Sequence, residues 1–197
     1  MRYLLIMFFP LYVAAQKPPE LNEIRIDSDF HCKENSALDF FLGMGNICDS
    51  KNYFEFRLSC ISRPNRKYDE LIILSYNNDQ WNIKRHSLGS GPYGRMIVVS
   101  TFDTTQLRHS LIHPFEILMD TLRNNNAFLL PDEPEIPEKN NIIIMDGPLY
   151  IVSFKLGDKF RRYVYNNPQT YLEYFPNKIE YTQVINIVTT FRNFFYR

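Results

Sequence analysis

This sequence has no surplus of charge of either sign. Its 22 lysines and arginines balance 22 aspartates and glutamates, so the formal net charge at pH 7 is zero. A nucleic-acid-binding protein needs cationic side chains to neutralise phosphates, and an acidic surplus is what attracts a cationic partner. The composition therefore argues against nucleic acid as a ligand and gives no support to a highly charged partner.

The chain also lacks an apolar run long enough to cross a bilayer. The longest, Tyr3–Val13, is about half of the roughly 20 residues that a spanning helix needs. With Arg2 before it and two alanines after it, this run has the layout of a secretory signal peptide. We predict that residues 1–15 are cleaved off, with a cut one or two residues away as the alternative. Residues 16–197 are then expected to form a single periplasmic or secreted domain without a membrane span.

Two modification signals are missing as well. No Asn-x-Ser/Thr acceptor for glycosylation occurs, although asparagine is common. The residue after the predicted cut is Gln16 rather than the cysteine that a bacterial lipoprotein would carry. We therefore expect an unanchored protein, and we favour the periplasm or exterior of a Gram-negative bacterium.

Cysteine is scarce, and its number is odd. With only Cys32, Cys48 and Cys60, at most one intramolecular bridge can form. Cys60 ends the run Phe54–Cys60, in which apolar and polar residues alternate as on a half-buried strand. We predict a bridge between Cys32 and Cys48 and a buried free thiol at Cys60, while pairings that use Cys60 stay open.

Alternating hydrophobicity predicts a sheet. The predicted strands lie within 21–31 and at about 53–61, 70–76, 80–86, 96–100, 142–145, 150–156 and 160–165. Tight turn signals, among them Asn77–Asp79 and Gly157–Asp158, leave no room for crossover helices between neighbouring strands. We therefore expect a mainly antiparallel sheet that consists of a meander and a C-terminal hairpin.

Helical periodicity predicts the helices that pack on this sheet. We predict helices at about 36–42 and 104–124, the second interrupted before Pro114, and a long C-terminal helix with Asn177 and Glu180 as a capping pair. The fold class is α+β, with the helices packed on one face of the sheet. The proline-rich and acidic segment 131–141 is expected to be an exposed connector, and a hinge if the domain has two halves.

No catalytic or metal pattern is complete. His109 and His113 have the spacing of metal ligands on a helix, but Ser110 stands where a metalloprotease has its glutamate. A third ligand would have to come from His31, His86, Glu116 or Asp120. The loop predicted at 89–94 fits neither a nucleophile elbow nor a phosphate-binding loop, and a buried Cys60 would be inert. We expect no metal and no cofactor.

The most distinctive chemistry lies near the C-terminus, where aromatic and basic side chains alternate. Tyrosine and arginine dominate protein interfaces because each combines a large contact area with a polar group. The candidate binding residues are Arg162, Tyr163, Tyr165, Tyr171 and Tyr174. The alternative interpretation places the alternate aromatic residues in the core.

These features favour an exported, non-enzymatic interaction protein, either a binding module or an inhibitor or immunity-type protein. Its partner is expected to be a protein or a glycan of the envelope or exterior. One alternative is a small envelope or extracellular hydrolase that pairs His86 or His109 with an acid such as Glu116. Another is a structural or assembly component, which would show an exposed apolar patch or an open sheet edge.

Overall fold

The computed structural model describes residues 17–25, 45–62, 69–91, 96–103, 112–137, 144 and 146–195. Several predictions concern segments outside these residues. They are the signal peptide, the helix at 36–42, the first half of the helix at 104–124 and most of the strand at 142–145. The single-domain organisation also stays a prediction.

The described residues contain a six-stranded antiparallel sheet with the strand order β4-β3-β2-β1-β5-β6. The strands are β1 (Phe54–Ile61), β2 (Asp69–Asn77), β3 (Gln80–Ser90), β4 (Met96–Asp103), β5 (Leu149–Leu156) and β6 (Lys159–Asn166). The first four form a meander, and the C-terminal hairpin β5–β6 joins it by pairing β5 with β1. The predicted α+β class and the mainly antiparallel sheet are confirmed.

Turn chemistry explains two of the predicted hairpins. Asn78 and Asp79 have φ angles of 48° and 59°, in the left-handed region that Asn and Asp tolerate better than most residues. Gly157 has a φ of 58° at the turn between β5 and β6, where its lack of a side chain removes the steric cost. Both turns connect neighbouring strands directly, as predicted.

Within the described ranges, three helices pack against one face of this sheet. They are α1 (Ile112–Asn124), α2 (Pro168–Tyr174) and α3 (Ile179–Phe194). The Phe191 ring of α3 stacks on Phe56 of β1 with 5.4 Å between ring centroids, and Phe115 of α1 stacks on Trp81 of β3 at 6.3 Å. Burying each large apolar side chain contributes about 1.5–3 kcal/mol, so this shared core holds the helices to the sheet.

The start of α3 differs from the prediction. Its N-cap is Lys178, without a side-chain cap hydrogen bond, so the predicted pair of Asn177 and Glu180 does not cap the helix. The helix instead buries Tyr181 in its first turn, which joins Val184, Val188 and Phe191 in one apolar stripe. Packing against the sheet, rather than a local cap, sets where this helix begins.

Two predicted strands were also wrong in their described parts. Leu21–Glu23 is a 3-10 turn, and Ile24, which follows it, packs in the core. Ile144 does not lie in a strand. β3, by contrast, is longer than predicted and includes Gly89 and Ser90, which we had expected to be in a loop.

The expectation that 131–141 is an exposed connector is wrong in part, because some of its described residues are buried. Glu133 and Ile136 are buried. The Val164 N–H donates to Asp132 Oδ1 at 2.7 Å, and the Asn166 N–H donates to Glu133 Oε2 at 3.1 Å. These acids accept hydrogen bonds from the backbone of β6 instead of facing water, so Pro131–Ile136 covers the outer edge of the sheet at β6.

Arg161 of β6 ties the same region to the core. Its side chain is buried and donates to the carbonyl oxygens of Phe128 and Leu130, just after α1, and its guanidinium lies 5.6 Å from the ring centroid of Tyr163. A buried charge is tolerated only when such partners satisfy it. Arg161 therefore bridges β6 and the chain that leads into the edge-covering segment.

We expect Arg161→Met to lower the free energy of unfolding by about 2–4 kcal/mol, because two buried carbonyls lose their charged donor. The matched control is Lys159→Met, since Lys159 is an exposed basic residue of the same strand. It is expected to change stability by about 0.5 kcal/mol or less. Urea unfolding of both variants measures the difference, and equal stabilities would contradict the bridging role of Arg161.

Candidate functional site

The five predicted binding residues do not form one surface. Arg162, Tyr163, Tyr165 and Tyr171 are buried, and only Tyr174 is exposed, at 58%. Tyr163 and Tyr165 project from β6 into the core beneath the helices, because the alternation that suggested a contact surface instead directs them inward. The structure thus corrects the expectation of a shared surface, and binding by Tyr174 stays a prediction.

The buried members of this set make structural contacts. The Arg162 Nε–H donates to Ser153 Oγ at 2.7 Å, and the Tyr165 hydroxyl donates to the carbonyl of Pro131 at 3.0 Å. Burial raises the pKa of Tyr163 and Tyr165 well above the usual range, so both hydroxyls stay protonated. These groups hold the fold together and offer no reactive or exposed chemistry.

The histidines provide no catalytic set within the described residues. His86 Nδ1 lies 2.8 Å from Thr101 Oγ1, so its partner is a hydroxyl and not a carboxylate. Desolvation, followed by the charge of Lys84, lowers the pKa of His86. His109, His31 and the side chain of His113 lie outside the part that the structure describes. That part contains no group of three potential metal ligands.

A groove of about 460 Å³ lies elsewhere, between the N-terminal segment and the β2–β3 hairpin. Its polar contacts include a 2.8 Å hydrogen bond from the Tyr76 hydroxyl to Asp79 Oδ1. The lining residues are Lys17, Pro18, Pro19, Glu20, Leu21, Tyr53, Tyr76 and Asp79. Since none of them is a histidine or a cysteine, the groove does not supply the site that the hydrolase alternative needs.

Cys60 is a buried free thiol, as predicted. Desolvation by burial raises its pKa to about 12, although Arg192 opposes the shift. Arg192 also contacts Glu70 at 3.1 Å, and Arg85 pairs with the other oxygen of that carboxylate. The two guanidinium groups hold the pKa of Glu70 below its usual range despite its partial burial. The thiol is therefore protonated at neutral pH and is not a nucleophile.

The face of the sheet away from the helices has its own buried ion pair. Glu55 and Arg57 of β1 are buried there, with 2.6 Å between Arg57 Nε and Glu55 Oε1. Glu55 also accepts hydrogen bonds from Ser50 Oγ and Asn52 Nδ2, and Arg57 donates to the carbonyl of Gly45. Because these charges are satisfied by the segment that covers them, the cluster has a structural explanation.

The open feature of the molecule is the edge strand β4. Its outer side pairs with no strand among the described residues. Half of its side chains are large, apolar and exposed: Ile97 (46%), Val98 (43%), Val99 (53%) and Phe102 (46%). From Met96 to Phe102 the strand carries no charge and no proline, which are two of the features with which monomeric proteins protect such edges.

A bulge and a glycine shape the middle of this edge. Leu88 of β3 pairs with Val98 while Ser87 pairs with Ser100, so Val99 is an extra residue on β4. A Cβ atom on Gly89 would lie 2.7 Å from Val99 Cγ2. The glycine that we assigned to a loop is therefore needed inside β3, where its missing side chain makes room for Val99.

The C-terminal helix continues the apolar surface beside β4. The Phe102 ring meets the Phe195 ring edge-on, with 5.6 Å between centroids. The Arg85 guanidinium lies 5.8 Å from the centroid of the same Phe195 ring. The end of the helix thus fixes the position of the exposed ring on β4, so the edge is presented on a rigid support.

The two edges of the sheet are therefore unlike. The β6 edge is covered by the chain's own acidic segment, whereas the β4 edge exposes apolar side chains and pairs with no further strand in the part of the chain that the structure describes. Sequence reasoning identified β4 as a strand but not as a site. One sequence signal could have indicated this edge. The run is uncharged and rich in β-branched residues, and it forms the last strand of the predicted meander, so no later strand of the meander would pair with it.

Comparison with known proteins finds no match among family models, curated proteins or solved structures. Within the described ranges, no helix combines the length and apolar character that spanning a membrane requires.

We expect Cys60 to resist alkylation by iodoacetamide at pH 8 in the folded protein, because burial keeps it protonated and inaccessible. In denaturant it should react within minutes like an ordinary thiol. Mass spectrometry of the labelled peptides measures both rates. Rapid labelling of Cys60 in the native protein would show that this thiol is accessible rather than buried.

The cysteine pairing itself stays a prediction. Cys48 lies in the 3-10 turn Ile47–Asp49, and its predicted partner Cys32 lies outside the described residues. Digestion without reduction, followed by mass mapping, should recover one linked pair that contains Cys32 and Cys48, with Cys60 in an unlinked peptide. Recovery of a Cys60-linked fragment would refute the assignment.

Proposed function

We propose that this protein is an exported, non-enzymatic interaction protein that binds an extended segment of a partner polypeptide along β4. The observation that carries the proposal is the uncharged, exposed edge, with Ile97, Val99 and Phe102 among its half-exposed side chains. A binding module, an inhibitor and an immunity-type protein would all work by such a contact. The placement outside the cytoplasm rests on the signal-peptide pattern of residues 1–15.

Strand addition suits this edge physically. An incoming strand would pair with the free backbone groups of β4, each new hydrogen bond contributing about 0.5–1.5 kcal/mol net. It would also remove apolar surface from water on both faces of the strand, since Val98 and Val99 are both exposed. A regular row of amide and carbonyl groups fits a polypeptide, so we favour a protein over a glycan as partner.

The same edge sets a chemical requirement for the partner. A charged side chain placed beside Ile97 or Val99 would lose water without gaining a counter-ion, which costs free energy. The partner segment should therefore be uncharged and rich in β-branched or aromatic residues where it faces Met96–Phe102. Specificity would come from the alternate side chains of that segment.

The hydrolase alternative has less support. Its best observation is the hydrogen bond between His86 and Thr101, but the groove at Tyr53 and Tyr76 is lined by other residues. General acid–base catalysis needs an ionisable group within reach of a bound substrate. A contact function requires only the surface that β4 presents.

The test compares three forms of the mature protein as bait for envelope and medium proteins of the native host. They are the wild type, Val99→Lys and the control Ile117→Lys, because Val99 and Ile117 are equally exposed at 53%. We expect wild type and Ile117→Lys to retain the same specific protein, and Val99→Lys to retain at least about tenfold less of it, a loss of about 1.4 kcal/mol. Circular dichroism confirms that each bait is folded.

Two results would contradict the proposed function. One is that no protein is specifically retained by the wild type under gentle conditions. The other is that Val99→Lys retains the same protein as well as the wild type does, which would place the contact away from β4.

A further inference from the structure

We propose that the partner strand at β4 is amphipathic. Its apolar side chains lie on the face of the sheet where the helices pack, called the helix side, and its polar side chains lie on the opposite side. This inference rests on the proposed contact function of β4 and names the kind of strand that the edge accepts. The observation that carries it is a bulge that gathers most of the exposed apolar side chains of β4 on the helix side.

The helix side of β4 carries Ile97, Val99 and Phe102. The Phe102 ring meets an aromatic ring at the end of α3, and Phe102 pairs with Arg85 of β3. Gly89 lies four residues further along β3 and so shares the face of Arg85. Ile97 pairs with Gly89, and a Cβ on Gly89 would meet Val99 Cγ2 at 2.7 Å. The three apolar side chains therefore point to the same side.

The opposite side of β4 offers less apolar surface. Val98 pairs with Leu88 there and is half-exposed. Met96 is already buried in a cluster that includes Leu88. Thr101 Oγ1 lies 2.8 Å from His86 Nδ1, so this position is polar. An apolar partner residue on this side would find Val98 as its only exposed apolar contact on β4.

The bulge produces this one-sided arrangement. In a regular strand, positions 97, 99 and 101 share one face and position 102 lies on the other. The extra residue Val99 shifts the alternation by one position. Phe102 thereby joins Ile97 on the helix side, and Thr101 turns to the opposite side. Bulges re-aim side chains in this way, and they are common at sheet edges.

The distribution of charge agrees with an amphipathic partner. On the opposite side Lys84 and Asp103 form an ion pair at 2.7 Å, and the lysine side chain is 40% exposed. Polar partner residues on that side stay close to water and to polar groups. From Ile97 to Phe102 the strand has no charge, so a charged partner residue over Val99 would lose water without gaining a counter-ion. A strand that alternates apolar and polar residues meets both requirements.

The probe for this inference is a fluorescein-labelled peptide of about eight residues, an ordinary strand length, in which valine and threonine alternate. Its control has the same composition with the valines in one block, which divides them between the two faces of a strand. Fluorescence anisotropy with the mature wild type measures both affinities. We expect the alternating peptide to bind at least about tenfold more tightly. Equal affinities, or no binding of the alternating peptide, would overturn the inference.

Two matched variants assign the contact to one side. Ile97 and Val98 are neighbours on opposite faces, exposed at 46% and 43%. Ile97→Lys should weaken binding of the alternating peptide at least about tenfold, because it places an ammonium group among the apolar side chains. Val98→Lys should change the affinity by about twofold or less, as an exposed substitution does. Equal effects of the two variants, with both folded by circular dichroism, would contradict the inference.

Failure of this inference can be told from failure of the proposed function. If Val99→Lys loses the captured host protein and Val98→Lys loses it equally, β4 remains the contact site and only the one-sided, amphipathic partner is wrong. If the alternating peptide does not bind and Val99→Lys captures the host protein as well as the wild type does, the contact function of β4 fails too.

Discussion

The structure depends on the way in which one edge of the sheet is closed. The N–H groups of Val164 and Asn166 on β6 donate to Asp132 and Glu133, and the adjoining turn buries Ile136. The strand order places β4 at the far end of the same sheet. Because the acidic segment closes the β6 edge, β4 is the edge of this sheet that stays unpaired among the described residues, and the functional argument follows from that asymmetry.

Buried polar side chains elsewhere in the fold are likewise satisfied by hydrogen bonds within the chain. Arg161 satisfies two carbonyls beside α1, and Glu55 collects donors on the opposite face. The aromatic and basic stretch of β6, which suggested a binding surface, is buried in the same way, since Tyr163 and Tyr165 lie in the core. A residue type that is common at interfaces is also well suited to a buried layer, so burial decides between the two roles.

Sequence reasoning succeeded where local signals suffice. The alternation in β1, the Asn77–Asp79 turn and Gly157 determine neighbouring strands through contacts between nearby residues. It failed where a group finds its partner across the fold, because a run of acids such as Asp132 and Glu133 cannot be told from a solvated linker without β6 beside it. The exposed edge at Val99 was missed for the same reason, since strand order is a tertiary property.

Amide hydrogen exchange followed by NMR tests the asymmetry of the two edges most directly. In dilute solution the Val164 and Asn166 amides should exchange slowly, while the amides of β4 that point away from β3 should exchange orders of magnitude faster. Fast exchange at Val164 and Asn166, or strong protection of the outward β4 amides, would contradict the account.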